Sequence, residues 1–173
     1  MMEERIVVSD ANILFDLLSV DLLSPFFDLP WEVHTTDMVI GEITKPEQLA
    51  GIEGFQKEGK LKVAVFELQE MFEISAMQRS CANNASMTDC SVWYYAKKTR
   101  GHLLTGDRKL RSVAELDSVR VSGILHIFDR MVEKGVLSPG FAAEKLDALM
   151  KKNGRLPKEE CENRIREWRN SAM

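Results

Sequence analysis

The sequence has few of the residues that form disulfide frameworks or thiol-based metal sites. Its 173 residues include three cysteines, Cys81, Cys90 and Cys161, with no CxxC pair and no Cys/His ligand spacing. An odd number of scattered cysteines is typical of a reducing compartment and argues against a secreted disulfide scaffold. We therefore expect a cytoplasmic protein whose cysteines serve in packing.

Long hydrophobic runs and a basic N-terminus are also missing. No apolar stretch approaches the roughly 20 residues that span a bilayer, and the chain starts with Met-Met-Glu-Glu instead of a positively charged segment. We expect neither a membrane span nor a signal peptide. A glycine-rich phosphate loop of the type GxxxxGKS/T is absent as well, which excludes a P-loop nucleotide hydrolase.

The residues that are present indicate a globular chain whose two halves carry opposite charge. Hydrophobic residues make up 45% and charged residues 29% of the chain, as in ordinary folded domains. Residues 1–89 carry sixteen acidic and six basic side chains, whereas residues 90–173 carry eleven and seventeen. This asymmetry suggests an acidic centre beside a basic surface, with unevenly charged, solvated helices as the alternative.

Strand and helix patterns alternate through residue 122. The predicted strands are Ile6–Val8, Trp31–Thr36, Leu61–Phe66, His102–Thr105 and Val119–Ser122. The alternation predicts a doubly wound α/β fold, with a mainly parallel sheet of about five strands in the order 3-2-1-4-5 flanked by helices. From Gly123 the pattern is helical to the end. We expect an α/β domain over residues 1–122 and a helical C-terminal extension over residues 123–173 packed on the same domain.

Two helical segments carry expectations that the structure can test. After the first strand, a helix should run to about Leu23, and the prolines of residues 24–30 predict a turn. A second helix should run from Glu67 to Ala82, with an apolar face. The residues on that face are Leu68, Met71, Phe72 and Ala76.

Four acidic residues stand at special points of this layout. Asp10 and Asp107 follow predicted strands, whereas Asp89 and Glu42 lie at or near the starts of predicted helices. If the first and fourth strands are neighbours, Asp10 and Asp107 meet at the carboxyl edge of the sheet, where open α/β sheets bind ligands. Crowded carboxylates call for a neutralising cation, and an all-oxygen set favours Mg²⁺ or Mn²⁺. Such an ion suits phosphodiester hydrolysis.

Each acid also has a purely structural interpretation. A strand-terminal Asp is often a helix cap, and Asp89, with Thr88 as the expected N-cap, is favoured by the helix dipole in any case. Asp37 or Thr36 is expected to cap the helix that contains Glu42. The alternative for Glu42 is a solvent-facing helix residue, with Asp37 competing for its place in the site.

Four sequence fragments in order resemble the signature of the PIN-domain nucleases. They are Val8-Ser-Asp10-Ala-Asn12, Val39-Ile-Gly-Glu42-Ile, Met87-Thr-Asp89 and Leu103-Leu-Thr105-Gly-Asp107-Arg108-Lys-Leu. The resemblance covers about residues 5–122 and implies a metal-dependent endoribonuclease. The segment Val121–Leu137 resembles a branch of these proteins in which a Gly-hydrophobic helix follows the fifth strand.

The resemblance assigns roles to particular residues and implies partners. Asp10, Glu42, Asp89 and Asp107 would form the catalytic metal site, with Asn12 and Thr105 orienting carboxylates or water. Many small prokaryotic relatives are toxins of toxin–antitoxin pairs, so the resemblance also implies an RNA substrate, a small antitoxin and a homodimer.

Basic residues follow the third and fourth acids in the sequence, namely Lys97, Lys98, Arg100, Arg108, Lys109 and Arg111. All six could line the approach for an RNA backbone, and we select Lys97, Arg108 and Lys109 as the candidate RNA-binding residues. Solvated helix ends are the alternative interpretation.

Two rival functions stay open. One is a non-catalytic PIN-like protein or RNA interaction module. The other is a phosphatase-like enzyme with an aspartyl nucleophile, which would need an Asp where Asn12 stands.

Overall fold

A five-stranded parallel sheet forms the centre of the fold. The computed structural model describes residues 5–81 and 84–172. Its strands are Ile6–Ser9 (β1), Glu32–Thr36 (β2), Leu61–Ala64 (β3), His102–Leu104 (β4) and Val121–Ser122 (β5). They are arranged in the order β3-β2-β1-β4-β5, which confirms the predicted order.

The central position of β1 follows from its composition. Val7 and Val8 are fully buried, as expected for β-branched residues in a strand covered on both faces. Val7 pairs with Val33 of β2 on one side and with His102 of β4 on the other. The carboxyl ends of β1 and β4 therefore lie side by side.

Helices connect the strands and continue beyond the sheet. They are Ala11–Ser19 (α1), Leu23–Phe27 (α2), Asp37–Gly41 (α3), Pro46–Lys57 (α4), Leu68–Ser80 (α5), Met87–Thr99 (α6), Arg108–Leu116 (α7), Ile124–Glu133 (α8), Pro139–Lys152 (α9) and Lys158–Ser171 (α10). Over the described ranges 5–81 and 84–172, no helix combines the length and the apolar character needed to cross a membrane.

The chain divides into two compact units. The first unit runs to Ile13 and resumes over Pro30–Gly123, so it contains the whole sheet. The second consists of Leu14–Leu29 and the residues from Ile124 onward. The expected division into residues 1–122 and 123–173 stays a prediction.

Polar and aromatic contacts hold the second unit together. The rings of Phe128 and Trp168 stack with centroids 6.3 Å apart. Arg164 donates two hydrogen bonds to the carboxylate of Asp129, at 2.8 and 2.9 Å. The amide of Asn153 donates to both carboxylate oxygens of Asp16 at 3.2 Å. These contacts join α8 to α10 and the end of α9 to α1.

The region after α1 differs from the sequence expectation. The first helix ends at Ser19, earlier than predicted, and Asp21 takes a positive φ of 57°. Residues 24–30 were expected to form a turn, yet Leu23–Phe27 is helical and includes Pro25. Proline is compatible with the first turn of a helix, because the amide it lacks has no helical partner there.

The apolar face predicted for α5 points to solvent. Leu68 and Phe72 are 72% and 61% exposed, and the preceding Val65 is 75% exposed. The buried residue of this helix is Ile74, and Met71 of the predicted face is half-buried. An amphipathic helix ordinarily packs its apolar stripe on the core, so this exposed stripe is unusual. The predicted helix end at Ala82 lies outside the described residues.

We predict that the strand next to β1 contributes strongly to stability. Leu104→Ala should lower the free energy of unfolding by about 2–5 kcal/mol, because Leu104 is fully buried and its truncation leaves a cavity. Urea denaturation measures the change. Leu116→Ala is the matched control, since Leu116 is 88% exposed and should change stability by less than about 0.5 kcal/mol. Equal losses in the two variants would contradict the prediction.

Candidate active site

Asp10 is a buried carboxylate at the point where β1 becomes α1. Its backbone N–H donates to the carbonyl of Leu104 at 2.9 Å, which continues the pairing of β1 with β4. Its side chain is almost fully buried, with the residue 4% exposed. An ionised carboxylate in such a place is costly unless it accepts hydrogen bonds.

Three donors satisfy the carboxylate of Asp10. The backbone N–H of Ala11 donates to Oδ1 at 2.8 Å. The hydroxyl of Thr105 donates to Oδ2 at 2.7 Å, and the amide of Asn12 donates to the same oxygen at 3.1 Å. One donor therefore comes from across the sheet, and the other two come from the first turn of α1.

Asn12 and Thr105 also connect Asp10 to the segment that carries Asp107. The backbone N–H of Gly106 donates to Oδ1 of Asn12 at 2.9 Å, and the backbone N–H of Asp107 donates to the hydroxyl of Thr105 at 3.1 Å. The structure thus joins two predicted acids and two predicted orienting residues in one hydrogen-bond network at the carboxyl edge of the sheet.

Asp107 is the N-cap of α7. Its Oδ1 accepts from the backbone N–H groups of Lys109 and Leu110, at 2.9 and 3.4 Å. These bonds satisfy free amides of the first helical turn, and the positive end of the helix dipole favours the negative charge. The carboxylate is half-buried.

Asp89 belongs to a capping box at the start of α6. The helix begins at Met87, and its N-cap is Ser86, not the predicted Thr88. The backbone N–H of Asp89 donates to the hydroxyl of Ser86 at 3.0 Å, and the N–H of Ser86 donates to Oδ2 of Asp89 at 3.1 Å. The signal in the sequence was Ser86 three residues before an acid, which is the spacing of a capping box.

The electrostatics show that three of the acids are neighbours. Burial raises the pKa of Asp10 to about 6, and the hydrogen bonds from Thr105 and Ala11 oppose this rise. The negative charges of Asp89 and Asp107 raise this pKa further. The charges of Asp89 and Asp107 are therefore close enough to act on Asp10.

Glu42 occupies a different environment from the other three acids. It is the exposed C-cap residue of α3, whose N-cap is Thr36, with the threonine hydroxyl accepting from the N–H of Val39. Within residues 5–81 and 84–172, Glu42 makes no hydrogen bond or ion pair with Asp10, Asp89 or Asp107.

The donor set suits a hard divalent cation in its chemistry, although its side chains are not gathered as a ligand cage. A buried carboxylate with two like charges nearby gains from a cation, and oxygen donors favour Mg²⁺ or Mn²⁺. The carboxylates of Asp89 and Asp107 are bonded to helix amides. In the described part of the chain, no three Asp, Glu, His or Cys side chains converge as metal ligands.

The sequence reasoning named Thr36 only as a helix cap and missed the hydroxyl hydrogen bonds that link the end of β2 to α6 and to β1. Thr36 and Ser91 are fully buried, and their hydroxyls are hydrogen-bonded at 2.8 Å, which joins the end of β2 to α6. The hydroxyl of Thr35 donates to the carbonyl of Ser9 at 2.8 Å. The two consecutive threonines at the end of β2 were the available signal.

The three candidate RNA-binding residues do not share one location. Arg108 and Lys109 follow Asp107 directly and are exposed. Lys97 lies near the C-terminal end of α6, about 12 Å along the helix from Asp89. It is ion-paired with Asp117 at 2.7 Å.

Comparison with known proteins adds a family to this geometry. A family model described as a PIN domain (DUF3368) matches residues 6–170, from β1 into α10. The crystal structure of PAE2754 from Pyrobaculum aerophilum aligns with 16% identity and a TM-score of 0.52, over 76% of this chain and 99% of that chain. The crystal structure of FitAcB from Neisseria gonorrhoeae aligns with 12% identity and a TM-score of 0.44, over 69% and 99%. A search of the curated proteins found no match.

We predict that Asp10 makes stability depend on pH in the absence of divalent metal. Its pKa in the folded state, about 6, is above the ordinary value of 3.8, so the folded state binds more protons and loses stability as pH rises through this window. Asp10→Asn removes the ionisation. The free energy of unfolding of this variant, relative to that of the original chain, should therefore increase by about 2 kcal/mol between pH 4 and pH 7.

Urea denaturation in EDTA at several pH values measures this difference. Asp28→Asn is the matched control, because Asp28 is an exposed acid at the end of α2 and should track the original chain at every pH. If the difference in stability between Asp10→Asn and the original chain does not change with pH, ionising the buried Asp10 does not destabilise the folded state, and the prediction is wrong.

Proposed function

The chain belongs to the PIN-domain family, and from this premise we propose that it is a metal-dependent endoribonuclease that hydrolyses RNA phosphodiester bonds. The observation that carries the proposal is the network at the carboxyl edge of the sheet. In this network a buried Asp10 is bonded to Asn12 and Thr105, and the charges of Asp89 and Asp107 lie close enough to raise its pKa.

The proposed cofactor is Mg²⁺ or Mn²⁺, held by Asp10 with Asp89 and Asp107. Glu42 is included in the proposed metal and catalytic site on the resemblance of its motif alone. A bound ion would supply an activated water and offset the charge that develops on the scissile phosphate. The raised pKa of Asp10 supports this assignment, because a cation favours the ionised form that burial and two like charges disfavour.

Asn12 and Thr105 act in this proposal by orienting Asp10. Both donate to Oδ2 of the carboxylate, so the direction of its oxygens is set before any ion binds. Ala11 fixes the other oxygen through its backbone N–H. Arg108 and Lys109 adjoin Asp107 and are the proposed contacts to the RNA backbone, together with Lys97 at the far end of α6.

The alternative is a PIN-like protein without catalysis, or an RNA interaction module. Its support is that Asp89 and Asp107 already serve as helix caps and that no metal-ligand group is gathered among residues 5–81 and 84–172. Calorimetric titration with Mn²⁺ separates the two functions, because the nuclease requires the ion and an interaction module does not.

A role as the toxin of a toxin–antitoxin pair, a small antitoxin partner and a cytoplasmic location are further proposals that rest on the family resemblance. We also propose a homodimer. Its structural support is the exposed stripe of Val65, Leu68 and Phe72, because an apolar patch of this kind is typical of a protein–protein interface.

We predict that Asp10→Asn and Asp107→Asn abolish cleavage of a labelled single-stranded RNA in Mn²⁺. The loss in kcat/KM should exceed about 100-fold, the upper range for residues that only orient metal ligands. Thr105→Val should lose roughly 10–100-fold, because it removes an orienting hydroxyl and leaves the carboxylates in place. Gel or fluorescence assays measure the rates, and EDTA should stop cleavage by the original chain.

Asp28→Asn is the control for these variants, since it makes the same substitution at an exposed acid of the other compact unit. It should cleave at the original rate. Undiminished cleavage by Asp10→Asn, prepared identically, would refute the assignment and point to a contaminating nuclease.

We predict that Phe72→Glu disrupts the proposed homodimer. A charge within the exposed stripe should reduce the particle mass from twice to once the 19.7 kDa of the chain, as measured by light scattering after size exclusion. Phe141→Glu is the matched control, because Phe141 is 42% exposed on α9 and lies outside the stripe. A dimer that survives Phe72→Glu, or an original chain that is monomeric, would contradict this proposal.

A further inference from the structure

Arg111 lies one helical turn after Asp107 on α7. Its backbone N–H donates to the carbonyl of Asp107 at 3.0 Å. Residues four apart share one helix face, and long side chains on a helix lean toward its N-terminus. The guanidinium of Arg111 is thereby directed back to the carboxyl edge of the sheet, where α7 begins.

The surroundings of Gly123 give the position of this guanidinium. Gly123 follows β5, and a Cβ placed on it would lie 3.6 Å from the carbonyl oxygen of Thr105 and 3.8 Å from Nη2 of Arg111. The guanidinium and the backbone of Thr105 therefore flank the same glycine. The hydroxyl of Thr105 donates to Asp10, so Arg111 stands beside the network described above.

The positive charge of Arg111 is only loosely compensated. Its Nε lies 3.9 Å from Oε1 of Glu115, which is too long for a hydrogen bond. Both side chains are about half exposed, at 43% and 53%, so water weakens their attraction. The ammonium of Lys97, in the last turn of α6, is by comparison directly hydrogen-bonded to the carboxylate of Asp117 at 2.7 Å. Arg111 therefore keeps donors that a ligand at the sheet edge can use.

The separation from Asp10 defines which part of a substrate Arg111 can reach. The guanidinium of Arg111 lies beside Gly123, the residue after β5, and β4 stands between β5 and β1. Two strand spacings correspond to about 10 Å. A phosphate bound at Arg111 would therefore lie about 10 Å from the carboxylate of Asp10, at a position distinct from the proposed metal site.

We propose that Arg111 is a substrate-positioning residue that binds a backbone phosphate of RNA adjacent to the scissile one. The inference rests on the ribonuclease function proposed above. The planar guanidinium fork matches a phosphate with two parallel hydrogen bonds, and it holds its charge at every relevant pH. Gly123 leaves the approach open, because it has no side chain between the guanidinium and the edge.

The test measures both RNA binding and cleavage in Arg111→Ala, Arg111→Lys and the original chain. In EDTA, the affinity for a labelled single-stranded RNA should fall about 10-fold or more in Arg111→Ala. The slope of log affinity against log salt concentration should become shallower by about one, because one phosphate contact is removed. In Mn²⁺, KM should rise by a similar factor while kcat changes less than about 2-fold. Arg111→Lys should restore the salt dependence but only part of the affinity.

Arg155→Ala is the matched control, because Arg155 is an exposed arginine in the other compact unit, and it should leave KM and the salt dependence unchanged. If Arg111→Ala leaves KM and the salt dependence unchanged in a chain that cleaves RNA, the inference fails and the nuclease function stands. If the original chain binds RNA with the expected Arg111 dependence but never cleaves it, the nuclease proposal fails and the phosphate contact stands. A chain that neither binds nor cleaves RNA overturns both.

Discussion

The hydrogen bond from the hydroxyl of Thr105 to the carboxylate of Asp10 is the contact on which the candidate site depends. Asp10 is almost completely buried at the end of the central strand, where an ionised group without donors would be costly. Its donors come from the first turn of α1 and from the end of β4. The bond from Thr105 therefore requires β4 to lie beside β1 and to end at the same level.

The same residues that stabilise the helix starts also set the potential at the site. Asp107 caps α7, and Asp89 completes a capping box on α6. Each carboxylate is stabilised by helix amides, so the fold tolerates two negative charges near a buried third one. Burial is the main cause of the raised pKa of Asp10, and these two negative charges raise it further. The capping of α6 and α7 and the negative charge near Asp10 thus come from the same two carboxylates.

Several features of the fold followed from local patterns in the sequence. The strand order was predictable because strands that alternate with helices have few common arrangements, and the structure has that order. Local patterns failed where the same residues are compatible with two different structures. Leu68 and Phe72 form a regular apolar stripe, but the buried residue of α5 is Ile74. Pro25 was expected to mark a turn, yet proline also fits the first turn of a helix, where it is found.

The sequence by itself determined which residues stand at strand ends and helix starts, because those positions depend on the periodicity and capping of a few neighbouring residues. Asp10 and Asp107 were recognisable in this way. Only the tertiary structure decided which of these side chains meet. Thr105 bonds to Asp10 across 95 positions of the chain, Arg111 lies beside Gly123, and Glu42 stays exposed at the end of α3. Such contacts arise from the lateral pairing of distant strands and the packing of helices between them, which no local stretch of sequence encodes.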